Sequence, residues 1–420
     1  MADYTGWAGR LAGFGSNAVS TASAAASSAV SAAGRALRPD SFGAEPTGER
    51  LERVRRSPNF VAGSFRNPVA AQLARPSSIG PLLRVFLRAE DRAKRTPAGA
   101  IPVHRLTPDD LAAPPASGLR VTWLGHAGML VEIDGRRVLF DPVWGDRCSP
   151  FPFAGPKRLH PAPLPLADVG PVDVIVVSHD HYDHLDMPTI KALVGSGAPF
   201  AVPLGLGAHL EHWGVPQSRI IELDWNESAV AAGLRLTATP ARHFCGRGLR
   251  NNGPTLWSSW VVAGPEHRVF HSGDTGYFPG FADIGATHGP FDATMMAVGA
   301  YSEFWPDIHM NPEEAVRAHR DVSGGQPHGI MLPMHWATFR LAPHPWAEPV
   351  ERAVAAARAD GARLVVPRPG QPVEPATGAA LDTGSDTGLD MWWRVLAVPA
   401  GESEPAQSGT ATPAPEGAPA

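Results

Sequence analysis

Short runs of apolar residues separated by turns occupy the middle of the chain, and their length predicts β-strands rather than long helices. These runs are rich in the β-branched and other apolar residues that strands favour. They cover Leu119–Leu124, Met129–Ile133, Arg137–Phe140, Val172–Val177, Phe200–Pro203, Leu234–Ala238, Ser258–Val262 and Thr294–Val298.

Three segments show the signals of helices instead, and they lie between or after the strands. They cover Leu204–Trp213, Pro312–His319 and Pro349–Asp360. The second has the clearest start, because Asn311 is a good N-cap, proline suits the first helical position, and two glutamates follow in the first turn. Strands that build sheets, with helices placed outside them, predict a two-sheet α/β sandwich.

The two ends of the chain differ in composition from its middle. A low-complexity arm covers residues 1–57, a lead-in with prolines covers 58–118, the candidate catalytic domain covers 119–396, and a Pro/Ala-rich tail covers 397–420. The arm and the tail are expected to be disordered, and the lead-in is expected to pack on the core. Neither a secretory signal nor a membrane-spanning run is evident, so a cytoplasmic protein is expected.

The net charge and the distribution of basic residues indicate which kinds of partner the chain can bind. The formal net charge of −5 argues against a broad nucleic-acid-binding surface, so no nucleic-acid partner is expected. One basic segment, Pro81–Arg95, mixes leucine, valine and phenylalanine with arginine and lysine. Such a segment is typical either of an amphipathic helix on an anionic lipid surface or of a helix packed on the core. Peripheral membrane contact therefore stays open, and nothing in the sequence indicates an oligomeric state.

Six consecutive residues, HDHYDH, carry the strongest chemical signal, and they follow directly on the strand-like run Val172–Val177. Two imidazoles two residues apart, His179 and His181, can point the same way and bind one metal ion. Asp183 and His184 can then reach a second ion beside it. Imidazole nitrogen and carboxylate oxygen suit zinc, and they also suit manganese or iron.

Three isolated residues of metal-ligating type lie further along the chain. His243, Asp274 and His335 each come just after the C-terminal end of an apolar run. The ends of such strands can converge on one edge of a sheet, which is where α/β folds place their functional sites. The sequence therefore predicts that these three residues complete a metal centre with the HDHYDH segment.

With these residues identified, the chain resembles the metallo-β-lactamase superfamily, whose mark is HxHxDH followed by a later His, Asp and His. Within that superfamily it is similar to the N-acylphosphatidylethanolamine-hydrolysing phospholipase D group and its bacterial relatives. The matching stretches run from about Asn59 to Val395 and are TWLGHAGMLVEIDG, DPVWGDRCSPFPFAGPKR, SHDHYDHLD, HSGDTGY, VGAYSEFWPDIHMNPEEAVRAH and MHWATFRL. The resemblance implies an αββα sandwich of two mixed sheets flanked by helices.

The resemblance also implies two zinc ions per chain, held by seven side chains. One ion would be held by His179, His181 and His243, the other by Asp183, His184 and His335, with Asp274 as the bridge.

Two further roles are implied for catalysis itself. His309, in PDIHMNPEE, matches a histidine that the phospholipase group places near the reacting phosphate, so it is expected to contact substrate or donate a proton. Asp183 could also orient the attacking hydroxide or accept its proton. The preceding segment SEFWPDI departs from the sequence that is usual in the family, which leaves the shape of a lipid pocket open.

Two residues outside the ligand set are candidates for supporting roles. Asp141 ends the strand VLFD and could accept a hydrogen bond from a ligand imidazole and fix its tautomer, or it could be a turn residue. His126, in LGHAG, could line the pocket or be a hydrogen-bonded core histidine. The sequence does not choose between these alternatives.

The reaction expected from these residues is metal-assisted hydrolysis. Two ions about 3.5–4 Å apart can share a hydroxide and stabilise both the attacking and the leaving oxygen. The resemblance implies a zinc-dependent phosphodiesterase of phospholipase D type, which acts on N-acylphosphatidylethanolamine-like lipids through a metal-bound hydroxide. A hydrolase of a small soluble lactone or cyclic phosphodiester on the same fold is the alternative, because the ligands alone do not select the substrate.

Overall fold

The computed structural model describes residues 39–72, 80, 93–248, 253–326, 328–376 and 391–397. The helices of these residues are α1 (Gly48–Arg56), α2 (Met187–Leu193), α3 (Gly207–His212), α4 (Gly280–His288), α5 (Pro312–Val322), α6 (Glu348–Asp360) and α7 (Arg394–Ala397). The strands are β1 (Phe60–Val61), β2 (Ser64–Phe65), β3 (Leu119–Gly125), β4 (Gly128–Ile133), β5 (Arg136–Phe140), β6 (Val174–Val176), β7 (Phe200–Pro203), β8 (Ile220–Leu223), β9 (Ser228–Ala231), β10 (Leu234–Thr239), β11 (Ser259–Ala263), β12 (Arg268–His271), β13 (Ala293–Ala297), β14 (Ile330–Met334) and β15 (Pro372–Val373).

Two mixed sheets form the centre of the fold. The first has the strand order β15-β3-β4-β5-β6-β7-β8, and the second has the order β14-β13-β12-β11-β10-β9. In the first sheet the pairs from β15 to β5 are antiparallel and those from β5 to β8 are parallel. In the second sheet β9 to β12 are antiparallel, whereas β12, β13 and β14 are parallel. The predicted αββα sandwich of two mixed sheets is confirmed.

Both faces of the first sheet are buried, and β6 shows how. Val174 and Val176 pack in the cluster that joins the two sheets, whereas Ile175 packs on the opposite side with Ile190 of α2 and Leu210 of α3. A strand that is buried on both faces has a continuous apolar sequence instead of an alternating one. This explains why the run before HDHYDH is so uniformly apolar.

Helix α5, which follows β13, begins where the sequence predicts. The Asn311 side chain accepts a hydrogen bond from Glu314 N at 2.9 Å, and the Glu314 carboxylate accepts one from Asn311 N at 3.0 Å. This capping box satisfies two backbone donors at the start of α5. α5 then packs on β13 and α6, which places these helices outside the second sheet.

The expected disorder of the arm does not hold for residues 39–57. Val54 of α1 is fully buried, and Arg50 forms ion pairs with Glu222 at 2.6 Å and Glu211 at 2.7 Å. These partners lie 172 and 161 residues further along the chain, so local composition could not reveal them. Residues 1–38, residues 81–92 of the basic segment and the tail from residue 398 lie outside the described residues.

Some elements differ from the sequence prediction for local reasons. The helix expected from Leu204 begins only at Gly207, because Gly205 has a φ of +86° and lies against the carbonyl of Pro254. The sequence patterns missed β9, an edge strand whose residues are alternately exposed and half-buried. In the described part of the chain, no helix is long and apolar enough to cross a membrane.

Candidate metal centre

The residues of the predicted metal centre come from separate places in the sequence and meet at one end of the sandwich. The HDHYDH segment follows β6 of the first sheet. His243, Asp274 and His335 follow β10, β12 and β14 of the second sheet. The structure therefore brings together all seven side chains of the predicted ligand set, because both sheets direct these strand ends to the same place.

Three imidazoles form the first group of ligand-type atoms. His179 Nε2 lies 2.9 Å from His181 Nδ1, and His243 Nε2 lies 3.3 Å from the same His181 atom. Burial lowers the pKa of both His179 and His243 well below the ordinary range, so these rings are neutral. The Ile308 carbonyl accepts a hydrogen bond from His243 Nδ1 at 2.9 Å, which leaves the Nε2 lone pair directed at the group. Neutral imidazoles gathered in this way suit a bound cation.

The second group consists of Asp183, His184 and His335. Asp183 Oδ2 lies 3.5 Å from His184 Nε2 and 3.3 Å from His335 Nε2. His184 Nε2 and His335 Nε2 are buried and make no hydrogen bond of acceptable geometry within the described residues. A buried polar atom without a partner is costly, so these nitrogens fit a metal ion as their missing partner.

Asp274 lies between the two groups. Its Oδ2 atom is 3.0 Å from His335 Nε2 and 3.3 Å from His184 Nε2 in the second group. The same atom is 3.8 Å from His243 Nε2 and 4.0 Å from His179 Nε2 in the first group. Its other oxygen, Oδ1, is buried and without a hydrogen-bond partner in the described residues. A carboxylate in this position can bridge two cations.

The backbone before Asp274 requires glycine. Gly273 has a φ of +54°, and a Cβ at this position would lie 2.8 Å from the Ser258 carbonyl oxygen and 2.8 Å from Ser178 Cβ. Only a residue without a side chain allows this close approach at low cost. The glycine in SGDTGY thus lets the Asp274 carboxylate reach the end of the first sheet.

The charges of the second group are balanced within it. Burial alone would lower the pKa of His335, but the neighbouring Asp274 and Asp183 carboxylates raise it to about 9. Although burial opposes ionisation of Asp274, His184 and His335 hold its pKa well below the ordinary range. The protons on these imidazoles occupy the lone pairs that a metal ion would use, so metal binding would release them.

Asp141 fixes the tautomer of His184. Its Oδ2 atom accepts a hydrogen bond from His184 Nδ1 at 2.7 Å, and its Oδ1 atom accepts one from Ser178 N at 2.7 Å. Since this contact keeps a proton on Nδ1, Nε2 is the nitrogen that a metal ion could use, and it lies on the side of Asp183 and Asp274. Of the two roles considered for Asp141, the structure supports the acceptor of a hydrogen bond from a ligand-type imidazole over a mere turn residue.

His309 borders the same centre. Its Nδ1 atom lies 3.8 Å from Asp274 Oδ2, and its ring lies 5.0 Å from that of His243. Burial lowers the pKa of His309 to about 4, so the ring is neutral at neutral pH. The structure thus places His309 beside the predicted ligands, and its contact with substrate stays a prediction.

Sequence reasoning assigned no role to Asp180, which holds the HDHYDH segment in place. Its carboxylate accepts hydrogen bonds from Gly246 N and Thr255 Oγ1, both at 2.8 Å, and from His209 Nε2 at 3.3 Å. The first two contacts tie the segment to the chain that follows β10, and the third ties it to α3. The sequence carries no signal for them, because the donors lie 29 to 75 residues away.

Two cavities border the centre. The larger, about 700 Å³, is lined on one side by Asp180 and Tyr182 of the HDHYDH segment. The rest of its wall combines aromatic residues and prolines, including Phe42 and Phe151, with the charged Glu45 and Arg247. The smaller, about 380 Å³, is lined by His243 together with Phe65, Asn67, Phe244 and Trp257. Of these two cavities, the smaller reaches a side chain of the ligand set, His243, and it is bordered by the lead-in.

Known proteins resemble this chain in sequence and in fold. A model of the Beta-lactamase superfamily domain matches residues 136–336. An uncharacterised protein of Mycobacterium tuberculosis is 53% identical over 347 residues, which are 81% of this chain and 88% of that protein. The N-acyl-phosphatidylethanolamine-hydrolyzing phospholipase D 1 of Caenorhabditis elegans is 40% identical over 260 residues, which are 59% of this chain and 71% of that protein. The solved structure of Igni18, a metallo hydrolase from Ignicoccus hospitalis, has 24% identity and a TM-score of 0.47, over 61% of this chain and 97% of that one. From the match to the superfamily domain and the similarity to the Caenorhabditis elegans protein, the chain belongs to the metallo-β-lactamase superfamily of metal-dependent hydrolases.

Proposed function

We propose that this chain is a dinuclear zinc phosphodiesterase of phospholipase D type, which hydrolyses N-acylphosphatidylethanolamine-like lipids. The observation that carries the dinuclear part is the position of Asp274 Oδ2, within 4.0 Å of ligand nitrogens from both groups. The relative from Caenorhabditis elegans, at 40% identity, supports the phosphodiester lipid as the substrate class.

Each side chain of the centre has a definite task in this proposal. Divalent ions bound by the two groups would act as Lewis acids and lower the pKa of a water molecule. Asp274 lies between the two groups and fixes their separation, and Asp183 completes the second group. The neutral His309 ring donates one hydrogen bond toward the phosphodiester or its leaving oxygen. Water adds to phosphorus, the bond to the ethanolamine oxygen breaks, and that oxygen leaves with a proton.

The larger cavity and its rim favour a lipid over a small polar substrate. Phe151 on the cavity wall stacks on Phe153 at 5.6 Å between ring centroids, and the Phe153 side chain is 79% exposed. Lys157, on the same loop, is exposed and has no carboxylate within 4.0 Å in the described residues. Exposed aromatics beside an unpaired cation suit an anionic membrane surface, so the proposal includes peripheral membrane contact.

The decisive experiment measures hydrolysis of N-acylphosphatidylethanolamine and of bis(p-nitrophenyl) phosphate by the zinc-loaded protein. Asp274→Asn removes the bridging charge, and Asp283→Asn makes the same change on an exposed residue of α4 as the matched control. Lipid turnover that only Asp274→Asn abolishes is the expected result. Turnover of the small diester alone would refute the lipid substrate and favour a small soluble phosphodiester. Inactivity on both substrates, with two zinc ions bound, would refute the phosphodiesterase and direct attention to a lactone.

A further inference from the structure

His126 lies outside the predicted ligand set, yet its ring contacts that set directly. Its Nε2 atom is 2.8 Å from Asp183 Oδ2, and its ring centroid is 4.0 Å from that of His335. The residue is 1% exposed and lies in the turn between β3 and β4 of the first sheet. Burial of a polar side chain is costly unless the side chain makes a compensating interaction.

The loop that follows β14 of the second sheet binds the backbone of His126 through both its N–H and its carbonyl. Its N–H donates to Thr338 Oγ1 at 2.6 Å, and its carbonyl accepts from His335 N at 2.9 Å. Trp123 Nε1 donates to the same carbonyl at 2.8 Å. His126 has a φ of +54°, a conformation that costs a non-glycine residue about 1–3 kcal/mol and persists only where its surroundings impose it. These three hydrogen bonds impose it here.

The direction of each hydrogen bond around Thr338 follows from its neighbours. His160 Nδ1 lies 2.9 Å from the Pro161 carbonyl, which can only accept, so this nitrogen carries the proton. His160 Nε2 is therefore the acceptor, and it receives the hydroxyl hydrogen of Thr338 at 2.9 Å. The hydroxyl oxygen is left to accept the His126 N–H. The chain from His160 through Thr338 to His126 has a single consistent arrangement of protons.

The tautomer of His126 distinguishes a hydrogen-bond donor from an additional metal ligand. Its Nδ1 atom is buried and has no hydrogen-bond partner among the described residues. Nδ1 therefore lacks a partner in either tautomer, so the contact of Nε2 decides between them. With the proton on Nδ1, the Nε2 lone pair would face the Asp183 carboxylate oxygen at 2.8 Å, which is repulsive. The proton therefore belongs on Nε2, where it is donated to Asp183.

We propose that His126 is a positioning residue that holds the Asp183 carboxylate toward the ion of the second group, and that Thr338 and His160 hold His126 in turn. This inference rests on the proposed dinuclear centre and adds to it a contact that sets metal affinity. Outer partners of this kind affect metal affinity about 10–100-fold without being ligands themselves.

Titration of the metal-free protein with Co²⁺, followed by its visible absorption, tests the proposal. His126→Leu removes the donor, whereas His126→Gln keeps an N–H near the Nε2 position, and neither substitute favours the positive φ more than the other. One of the two Co²⁺ equivalents is expected to bind about 10–100-fold more weakly to the leucine variant than to the wild type, with an unchanged spectrum at saturation. Glutamine should restore most of the affinity. Unchanged affinity in His126→Leu, or an altered spectrum at saturation, would overturn the proposal.

A second pair of variants decides the question if His126→Leu does not fold. Thr338→Val keeps the shape of a fully buried side chain but removes its hydroxyl, and Thr338→Ser keeps the hydroxyl. Valine should weaken the same Co²⁺ equivalent and serine should not, whereas equal affinity in the two variants would contradict the proposed chain. A wild-type protein that binds fewer than two equivalents would refute the dinuclear centre itself, which separates that failure from a failure of the role of His126.

Discussion

Asp141→Asn should weaken metal binding although Asp141 is not in the ligand set. In the folded protein its carboxylate accepts three hydrogen bonds of 2.7 Å, from His184 Nδ1, Ser178 N and Ser178 Oγ. Asparagine retains one oxygen, which can still accept from Ser178 N. Its NH₂ group then faces the N–H of His184, and two donors cannot bond each other. His184 must either lose this contact or move its proton to Nε2, where the proton blocks the metal-binding lone pair.

The size of the effect follows from this one contact. A hydrogen bond to a charged group contributes about 1.5–3 kcal/mol, and each 1.4 kcal/mol is tenfold in a binding constant. The expected loss is therefore roughly 10- to 100-fold in affinity for the ion held by His184, which agrees with the general range for outer partners of metal ligands. The backbone adds little, because asparagine tolerates the φ of +41° at this position as readily as aspartate does.

Zinc titration against a competing chelator measures this loss. Asp283→Asn, the same chemical change on an exposed residue of α4, is the control and should bind zinc as the wild type does. Circular dichroism of the metal-free proteins checks that Asp141→Asn folds. Two zinc equivalents bound to a folded Asp141→Asn with wild-type affinity would refute the assignment of the His184 tautomer to Asp141.

Three other predictions concern stability of the metal-free protein in urea. Leu130→Ala, at a fully buried position of β4, should lower the free energy of unfolding by about 2–5 kcal/mol. Val230→Ala, at a 65% exposed position, should lower it by less than about 0.5 kcal/mol, and similar losses in the two variants would contradict the packing. Asn311→Ala removes the capping side chain of α5 and should cost about 1 kcal/mol, and no loss would speak against the capping box. Burial lowers the pKa of His319 to about 4, so between that value and its ordinary 6.5 the unfolded chain binds the extra proton and stability falls as the pH falls. From pH 7 to 5 this residue should account for about 2 kcal/mol of the loss, which His319→Gln should abolish, and an equal pH slope in both proteins would refute the assignment.

Local patterns were sufficient for those elements whose environment resembles the average for their type. β3, β4 and β7 lie within about two residues of the predicted runs, because apolar residues in short runs are buried as strands in most contexts. The start of α5 was also readable, since the Asn311 cap and its partner Glu314 are three residues apart. The order of residues around HDHYDH indicated a metal centre because ligand spacing within one turn is a local property.

Sequence by itself thus determined the superfamily, the αββα class and the ligand-type residues of this protein. Only the tertiary structure decided that Asp274 Oδ2 lies between the two groups, that Asp141 orients His184, and that His126 contacts Asp183. It also decided that α1 is ordered, through ion pairs with residues more than 150 positions away. The physical reason is the same in each case. A hydrogen bond between side chains from different strands depends on how two sheets are packed and twisted, and no pattern within a single segment encodes that distance.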